Sequence, residues 1–288
     1  APQLWVWRPA DHGIARVTGA GVRTDDFVWS PDGKIVAVQG TAADGLHQDI
    51  VAFEPGGNLQ ARLFVAAGTR SWRPLDWSPD GARLLLENEA NSQQSELWLA
   101  DAASGGIAQI ALPSPPGRVR AARFAPDGRG IHLIAQFGED YARLQYFDPV
   151  ANTLRPLTAE IPWDIESFAV SPDGRYLAFV ANVAGVSRLT VIDQIARSEL
   201  LPAGLPAGRI ADLAFDPSGR RLAMTTESAT QPPDAYVYEP ADNTLARWTQ
   251  SEPGPIDPSA FVTPELISFP TWDRVNGSTR SLPAWDYK

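Results

Sequence analysis

The sequence contains no cysteine, which excludes disulfide bonds, thiol catalysis and thiolate metal sites. A chain without cysteine fits a cytoplasmic protein somewhat better than a periplasmic one, without excluding the latter. No apolar run approaches the about 20 residues that a membrane-spanning helix needs, so we expect no membrane partner. Basic side chains number 24 against 34 acidic ones, and the net charge of −10 argues against a nucleic-acid partner.

Turn-forming residues are abundant. The chain of 288 residues, long enough for a full core, has 26 prolines, 23 glycines and 10 tryptophans. With 44% hydrophobic and 20% charged residues, this composition predicts a globular protein of many short strands and turns rather than long helices.

One phrase, WSPDGKIVAV at 29–38, recurs along the chain. Its variants are WSPDGARLLLE from Trp77, FAPDGRGIHLI from Phe124, VSPDGRYLAFV from Val170 and FDPSGRRLAMT from Phe215. The prolines of the five phrases are 48, 47, 46 and 45 residues apart. In each phrase, proline presets the backbone of a turn, aspartate bonds back to the main chain and glycine takes a positive φ. The spacing predicts hairpin turns at 30–33, 78–81, 125–128, 171–174 and 216–219.

A second repeated segment predicts the rest of each unit. Apolar strands that end in an acidic turn recur six times, as in QLWVWRP from Gln3, ELWLADAASGG from Glu96 and RLTVIDQIARS from Arg188. A short fourth strand follows, as in LRPLT at 154–158. Four antiparallel strands per about 45 residues is the period of a β-propeller blade. Five turn phrases and six third strands predict an all-β propeller of five complete blades, preceded by half a blade.

Other propeller motifs do not fit the repeat. An Asp box of the sialidase type separates aspartate from glycine by one residue, whereas Asp32 and Gly33 are adjacent. The Trp-Asp pairs lie off the period, which excludes a WD-repeat assignment. The five turn aspartates have two interpretations, turn chemistry or ligand binding, and we favour turn chemistry. Nothing in the sequence indicates a metal ion or a cofactor.

The period stops after the fifth blade. SEPGPIDPS at 251–259 reads as a linker, and two strand-like segments follow on either side of a turn near Asn276 and Gly277. We therefore divide the chain into a β-propeller at 1–258 and a second part at 259–288.

The combination of these motifs resembles the prolyl oligopeptidase family of serine peptidases, particularly its dipeptidyl-aminopeptidase and acylaminoacyl-peptidase branches. The resemblance rests on the Ser-Pro-Asp-Gly turns, on PELISF at 264–269 and on LPAWDYK at 282–288, and it covers nearly the whole chain. It implies that 259–288 is a linker and the first hairpin of an α/β-hydrolase domain. The chain departs from the family at 272–277, where we expect a longer loop in place of a short turn.

The catalytic residues that the resemblance implies are not encoded in this chain. The family's serine lies in Gly-x-Ser-x-Gly, and no such motif occurs here. The histidines are His12, His47 and His132, all within blades, and we interpret them as surface or loop residues. We therefore predict no catalytic residue in this chain.

In the family, the propeller covers the active site and admits only short peptides. The loops between second and third strands, and those between successive blades, lie on one face of a propeller, and we expect the hydrolase domain, downstream or on a separate chain, to adjoin that face. The residues that we predict there as substrate or interdomain contacts are Arg23, Arg70, Trp72, Arg73, Arg118, Arg120, Trp163, Asp164, Glu166 and Arg209. These arginines could pair with hydrolase carboxylates or hold a peptide's C-terminus.

Two alternatives remain at this point. The loop arginines could be merely solvated or engaged in ordinary interdomain salt bridges, which is the interpretation we favour because exposed ion pairs are common and weak. The whole chain could also be a non-catalytic propeller that binds a partner protein, as Tol-type propellers do, since these share the Ser-Pro-Asp-Gly turn.

Overall fold

The structure is a computed structural model that describes residues 3–8, 10, 12–17, 24, 26–56, 62–275 and 277–288. Its described elements are antiparallel β-strands and one short 3-10 turn, Pro258–Ala260. The chain divides into two compact units, Ala1–Thr158 and Ala159–Lys288. Among the described residues, no helix is long and apolar enough to cross a membrane.

The first unit contains a half-blade and three blades. The half-blade is β1 (Trp5–Arg8) and β2 (Gly13–Arg16), and the first blade is β3 (Phe27–Trp29), β4 (Val36–Thr41), β5 (Gln48–Phe53) and β6 (Arg62–Val65). The second blade is β7 (Trp72–Trp77), β8 (Arg83–Asn91), β9 (Gln94–Asp101) and β10 (Ile107–Ile110). The third blade is β11 (Arg118–Phe124), β12 (Ile131–Gln136), β13 (Arg143–Asp148) and β14 (Thr153–Pro156).

The second unit contains two blades and a hairpin. The fourth blade is β15 (Ile165–Val170), β16 (Tyr176–Val183), β17 (Val186–Asp193) and β18 (Ser198–Leu200). The fifth blade is β19 (Arg209–Phe215), β20 (Leu222–Ser228), β21 (Gln231–Glu239) and β22 (Thr244–Arg247). The hairpin is β23 (Glu265–Val275) and β24 (Ser278–Asp286). Repeated four-stranded antiparallel blades define a β-propeller, so the predicted fold class is confirmed.

The repeated phrase forms the turn between the first and second strands of each complete blade. In the first blade, the Ser30 hydroxyl donates to the Asp32 carboxylate at 2.7 Å and accepts the Ile35 N–H at 2.9 Å. Gly33 closes the turn with a φ of 68°. The hydrogen bond from Ser30 lowers the pKa of Asp32 to about 2. Asp32 therefore stabilises its own turn, which is the interpretation that we favour from the sequence.

The fifth blade exchanges the two polar residues of the turn and keeps the network. Asp216 takes the place of the serine and accepts the Arg221 N–H at 3.1 Å, while the Ser218 hydroxyl donates to Asp216 at 2.7 Å. The same backbone turn is thus stabilised with the acid and the hydroxyl in swapped positions.

The core lies between neighbouring blades within each unit, because a blade has two faces and both must be covered. In the first unit, one cluster joins the first two blades and includes Ala37, Ile50, Trp72, Leu84 and Leu86. In the second unit, a cluster joins the fourth and fifth blades and includes Ala178, Val180, Ile210, Met224 and Tyr238. Second strands are buried on both faces, which explains apolar runs such as LLL at 84–86.

Two expectations are wrong in detail. His132 is neither a surface nor a loop residue: it lies in β12, is buried, and packs edge-on against Tyr146 with ring centroids 5.1 Å apart. Burial lowers the pKa of His132 to about 4. The expected loop at 272–277 is also wrong, because β23 continues to Val275 through a bulge between Pro270 and Arg274.

Candidate functional site

The turns between second and third strands and the connections between successive blades lie at the same end of the blades. In the second blade, the Ser95 N–H at the start of β9 donates to the Gly117 carbonyl, just before β11, at 3.0 Å. In the fourth blade, the Ser187 N–H at the start of β17 donates to the Gly208 carbonyl, just before β19, at 2.9 Å. We call this end of the blades the loop face of each unit.

Glycine at 117 and 208 permits a close approach between strands. A Cβ at Gly117 would lie 2.1 Å from the Gln136 carbonyl oxygen, and one at Gly208 would lie 2.0 Å from the Glu227 carbonyl oxygen. Gly117 and Gly208 are not among the residues predicted from the sequence. A signal was present, because a Gly-Arg pair begins nine residues before the turn proline in both the third and the fifth blade.

The predicted residues of the first unit are held by aromatic and acidic neighbours. The Arg70 guanidinium lies 4.7 Å from the centroid of Trp98. Arg73 donates from Nε to Glu87 at 2.8 Å, and Arg118 pairs with Glu89 and donates to the Ser92 carbonyl at 3.1 Å. These last two arginines are therefore neutralised by carboxylates.

Two other predicted residues of this unit, Trp72 and Arg120, differ in their surroundings. Trp72 is fully buried in the core, and its indole N–H donates to the Ala66 carbonyl at 3.0 Å, so its ring does not face solvent. Arg120 is exposed, and its carbonyl accepts from Arg73 at 3.4 Å. Arg23 lies outside the described residues.

The predicted residues of the second unit form a polar border to its loop face. Arg209 pairs with Glu227 at 2.9 Å. The Glu166 carboxylate accepts from the Asn182 amide at 2.8 Å and from the Ser187 hydroxyl at 3.0 Å. Two residues before Glu166, the Asp164 carbonyl accepts the Asn182 N–H at 2.9 Å, and Trp163 is half-buried.

A groove opens on the loop face of each unit at an equivalent place in the repeat. The groove of the first unit has a volume of about 440 Å³ and is lined by residues 92–94, Gly117, Arg118 and Gln136. That of the second unit has a volume of about 390 Å³ and is lined by Gly185, Gly208, Arg209 and Glu227. Both grooves thus combine a Gly-Arg pair with a two-residue hairpin turn.

The second groove is partly closed by the end of the chain. Thr263 and Pro264, which lead into β23, and Trp285 and Tyr287, at the end of β24, line it as well. The base of the 265–286 hairpin therefore lies on the loop face of the second unit.

The chemistry of this face is that of a contact surface. It offers paired charges, amide and hydroxyl groups, and aromatic rings. Among the described residues, no group of three His, Asp or Glu side chains could hold a metal ion.

The Asp44 carboxylate in the loop between β4 and β5 meets His47 Nδ1 at 2.5 Å, and this hydrogen bond is the main reason why the pKa of Asp44 lies well below its usual range.

Comparison with known proteins yields no matching protein-family model. A curated relative, the uncharacterized peptidase YuxL of Bacillus subtilis (strain 168), is 26% identical over 184 residues. That match covers 62% of this chain and 25% of the relative, so the chain spans about a quarter of the relative's length.

Two solved structures illustrate the range of similar folds. A puromycin hydrolase matches 99% of this chain and 46% of its own, with a TM-score of 0.77 and 18% identity. A putative TolB from Agrobacterium tumefaciens matches 84% of this chain and 86% of its own, with a TM-score of 0.64 and 16% identity. The chain thus has a β-propeller fold and resembles, over nearly its whole length, the propeller region of a peptidase.

Proposed function

We propose that this chain is the propeller portion of a serine peptidase of the prolyl oligopeptidase family. In this proposal, its loop face lies against an α/β-hydrolase domain and admits only short peptides to the active site. The observation that carries the proposal is the extent of the likeness to the puromycin hydrolase: at 99% of this chain, it includes the 265–286 hairpin as well as the blades.

The surface of the 265–286 hairpin supports the proposal. Among the described strands, its two strands pair only with each other, and Leu266, Phe269 and Trp272 are 47%, 46% and 96% exposed. A two-stranded sheet with exposed apolar side chains is an interaction surface that needs cover. Further strands of a hydrolase sheet would provide that cover, with 259–288 as the linker and the first hairpin of that domain.

The ion pairs of the loop face suit a contact role. Arg118 and Arg209 occupy equivalent positions in the repeat, and each pairs with a partly exposed carboxylate. Exposed pairs of this kind contribute at most about 1 kcal/mol, so an arginine can exchange its partner for a carboxylate of a second domain or of a peptide. We retain the predicted contact set with this role, except for buried Trp72 and for Arg73, whose partner Glu87 is fully buried.

The first test is the coding sequence beyond Lys288. We expect a Gly-x-Ser-x-Gly motif about 100 residues downstream, on a strand-to-helix turn. The purified full-length protein is then expected to hydrolyse aminoacyl nitroanilides, and replacement of the motif's serine by alanine should abolish this activity. A stop codon soon after Lys288, with no partner chain that carries the motif, would overturn the proposal.

The gating role has a separate test with a matched control. Arg209→Ala removes an ion pair on the loop face, whereas Arg221→Ala removes the Arg221–Glu239 pair, 3.0 Å long, at the opposite end of the same blade. In the full-length enzyme, we expect Arg209→Ala to raise the ratio of kcat/KM for a 20-residue peptide to that for a dipeptidyl nitroanilide, and Arg221→Ala to leave it unchanged. Equal ratios in all three proteins would contradict gating through this face.

A second candidate function is a partner-binding module of the TolB type. It is favoured by the putative TolB structure, of which this chain covers 86%. The downstream sequence distinguishes the two candidates, because a partner-binding propeller requires no serine motif.

A further inference from the structure

Trp285 makes a contact that the repeat does not explain. It lies near the end of β24, opposite Leu266 in the hairpin ladder. Its indole ring reaches out of the hairpin to the turn between β16 and β17 in the fourth blade, where Gly185 lies. The contact joins residues 100 positions apart in the sequence.

The indole ring of Trp285 packs on Gly185. The φ of Gly185 is +87°, and a Cβ built on it would lie 2.5 Å from Trp285 Nε1 and 3.4 Å from Cδ1. Real Cβ atoms do not tolerate the shorter distance, so any side chain at 185 must displace the indole. Glycine is required here for both its backbone conformation and its lack of a Cβ.

The equivalent turns of the second and fifth blades carry a side chain at this position. The second and fifth blades have two-residue turns of the same register, in which Gln93 and Thr230 stand where the fourth blade has Gly185. Of these three two-residue turns, that of the fourth blade has glycine at this position.

We propose that the packing of Trp285 on Gly185 is a latch that fixes the 265–286 hairpin to the loop face of the second unit. Insofar as the latched element is the start of a hydrolase domain, this inference rests on the proposed function, and the latch would then set the position of that domain on the propeller. The surface that holds the hairpin is the fourth-blade turn with the adjoining groove, which Pro264 and Tyr287 also line.

The latch is tested in this chain by hydrogen exchange of the 265–286 amides, followed by mass spectrometry. Gly185→Ala should accelerate this exchange about tenfold, because the hairpin loses its anchor and opens more often. Gly204→Ala is the matched control: Gly204 has a φ of +86° and nothing within 4 Å of its Cβ position. This control carries the same backbone strain without the clash, and we expect the exchange of the hairpin to stay unchanged.

Trp285→Ala tests the same contact without placing a Cβ at position 185, so it remains informative if Gly185→Ala misfolds. It should accelerate the hairpin's exchange to the same extent, and adding Gly185→Ala to it should have no further effect. Equal acceleration by Gly185→Ala and Gly204→Ala would overturn the latch, and so would unchanged exchange in Trp285→Ala. None of these results depends on peptidase activity, so the latch and the proposed function can fail separately.

Discussion

At the scale of single residues, the ion pair between Arg73 and Glu87 is distinguished by the burial of its carboxylate. Glu87 is fully buried in β8, and the Arg73 side chain is 29% exposed. Removing one partner of a buried pair leaves an uncompensated charge. We expect Arg73→Ala to lower the free energy of unfolding of the first unit by about 3 kcal/mol, measured by urea denaturation.

The Arg209–Glu227 pair serves as the control, because its side chains are 68% and 38% exposed. Arg209→Ala should cost less than about 1 kcal/mol in the same measurement. Equal costs for the two substitutions would show that burial of Glu87 has no energetic consequence.

A second prediction at this scale concerns Asp76 in β7, whose carboxylate accepts the Phe124 N–H of β11 at 2.8 Å. Burial raises the pKa of Asp76 from 3.8 to about 6, and the charge of Arg123 opposes the rise. The folded state therefore holds this proton more tightly than the unfolded chain does. Consequently the contribution of Asp76 to the free energy of unfolding falls as pH rises from about 4 to about 6, and is constant above that.

Asp76→Asn should remove this dependence while keeping an oxygen that accepts the Phe124 N–H. The difference in unfolding free energy between variant and parent should change by about 1–3 kcal/mol between pH 4 and pH 7, in favour of the variant at pH 7. Urea denaturation at several pH values measures this difference. A difference that is independent of pH would refute the raised pKa.

At the scale of elements, the Ser-Pro-Asp-Gly turn can be tested in the fourth blade. The Ser171 hydroxyl donates to Asp173 at 2.6 Å and accepts the Tyr176 N–H at 2.8 Å, and Ser171 is fully buried. Ser171→Ala leaves that N–H without its acceptor and should cost about 1–3 kcal/mol of unfolding free energy. Chemical denaturation of the purified variant checks the value.

Ser218→Ala is the control for the turn substitution. The Ser218 hydroxyl belongs to the exchanged turn of the fifth blade, donates to Asp216 and is exposed. Its loss should cost less than the loss of Ser171, because water replaces the partner. The opposite order would contradict our account of the turn.

The elements themselves were largely predictable. The five turn phrases mark the junctions between first and second strands because their hydrogen bonds span at most five residues. The long β23 was not predictable, since its bulge at 271–273 depends on pairing with β24. Local chemistry fixes a turn, whereas a bulge depends on its partner strand.

At the scale of the whole molecule, the prediction concerns activity. Residues 1–288 contain no Gly-x-Ser-x-Gly motif, and we expect the chain alone to hydrolyse no peptide or ester. The measurement is turnover of an aminoacyl nitroanilide by rigorously purified chain. Turnover that a serine-directed inhibitor abolishes would contradict the expectation.

The repeat, the turn hydrogen bonds and hence the propeller fold are predictable from the sequence, because they depend on short-range spacing and on a period of 45 to 48 residues. The folded structure was needed to show that Trp72 and His132 are buried, that Arg73 meets a buried carboxylate, and that Trp285 packs on Gly185. A period indicates which strands are equivalent. It does not indicate which side chains meet, since those contacts join separate strands, and in the last case residues 100 positions apart.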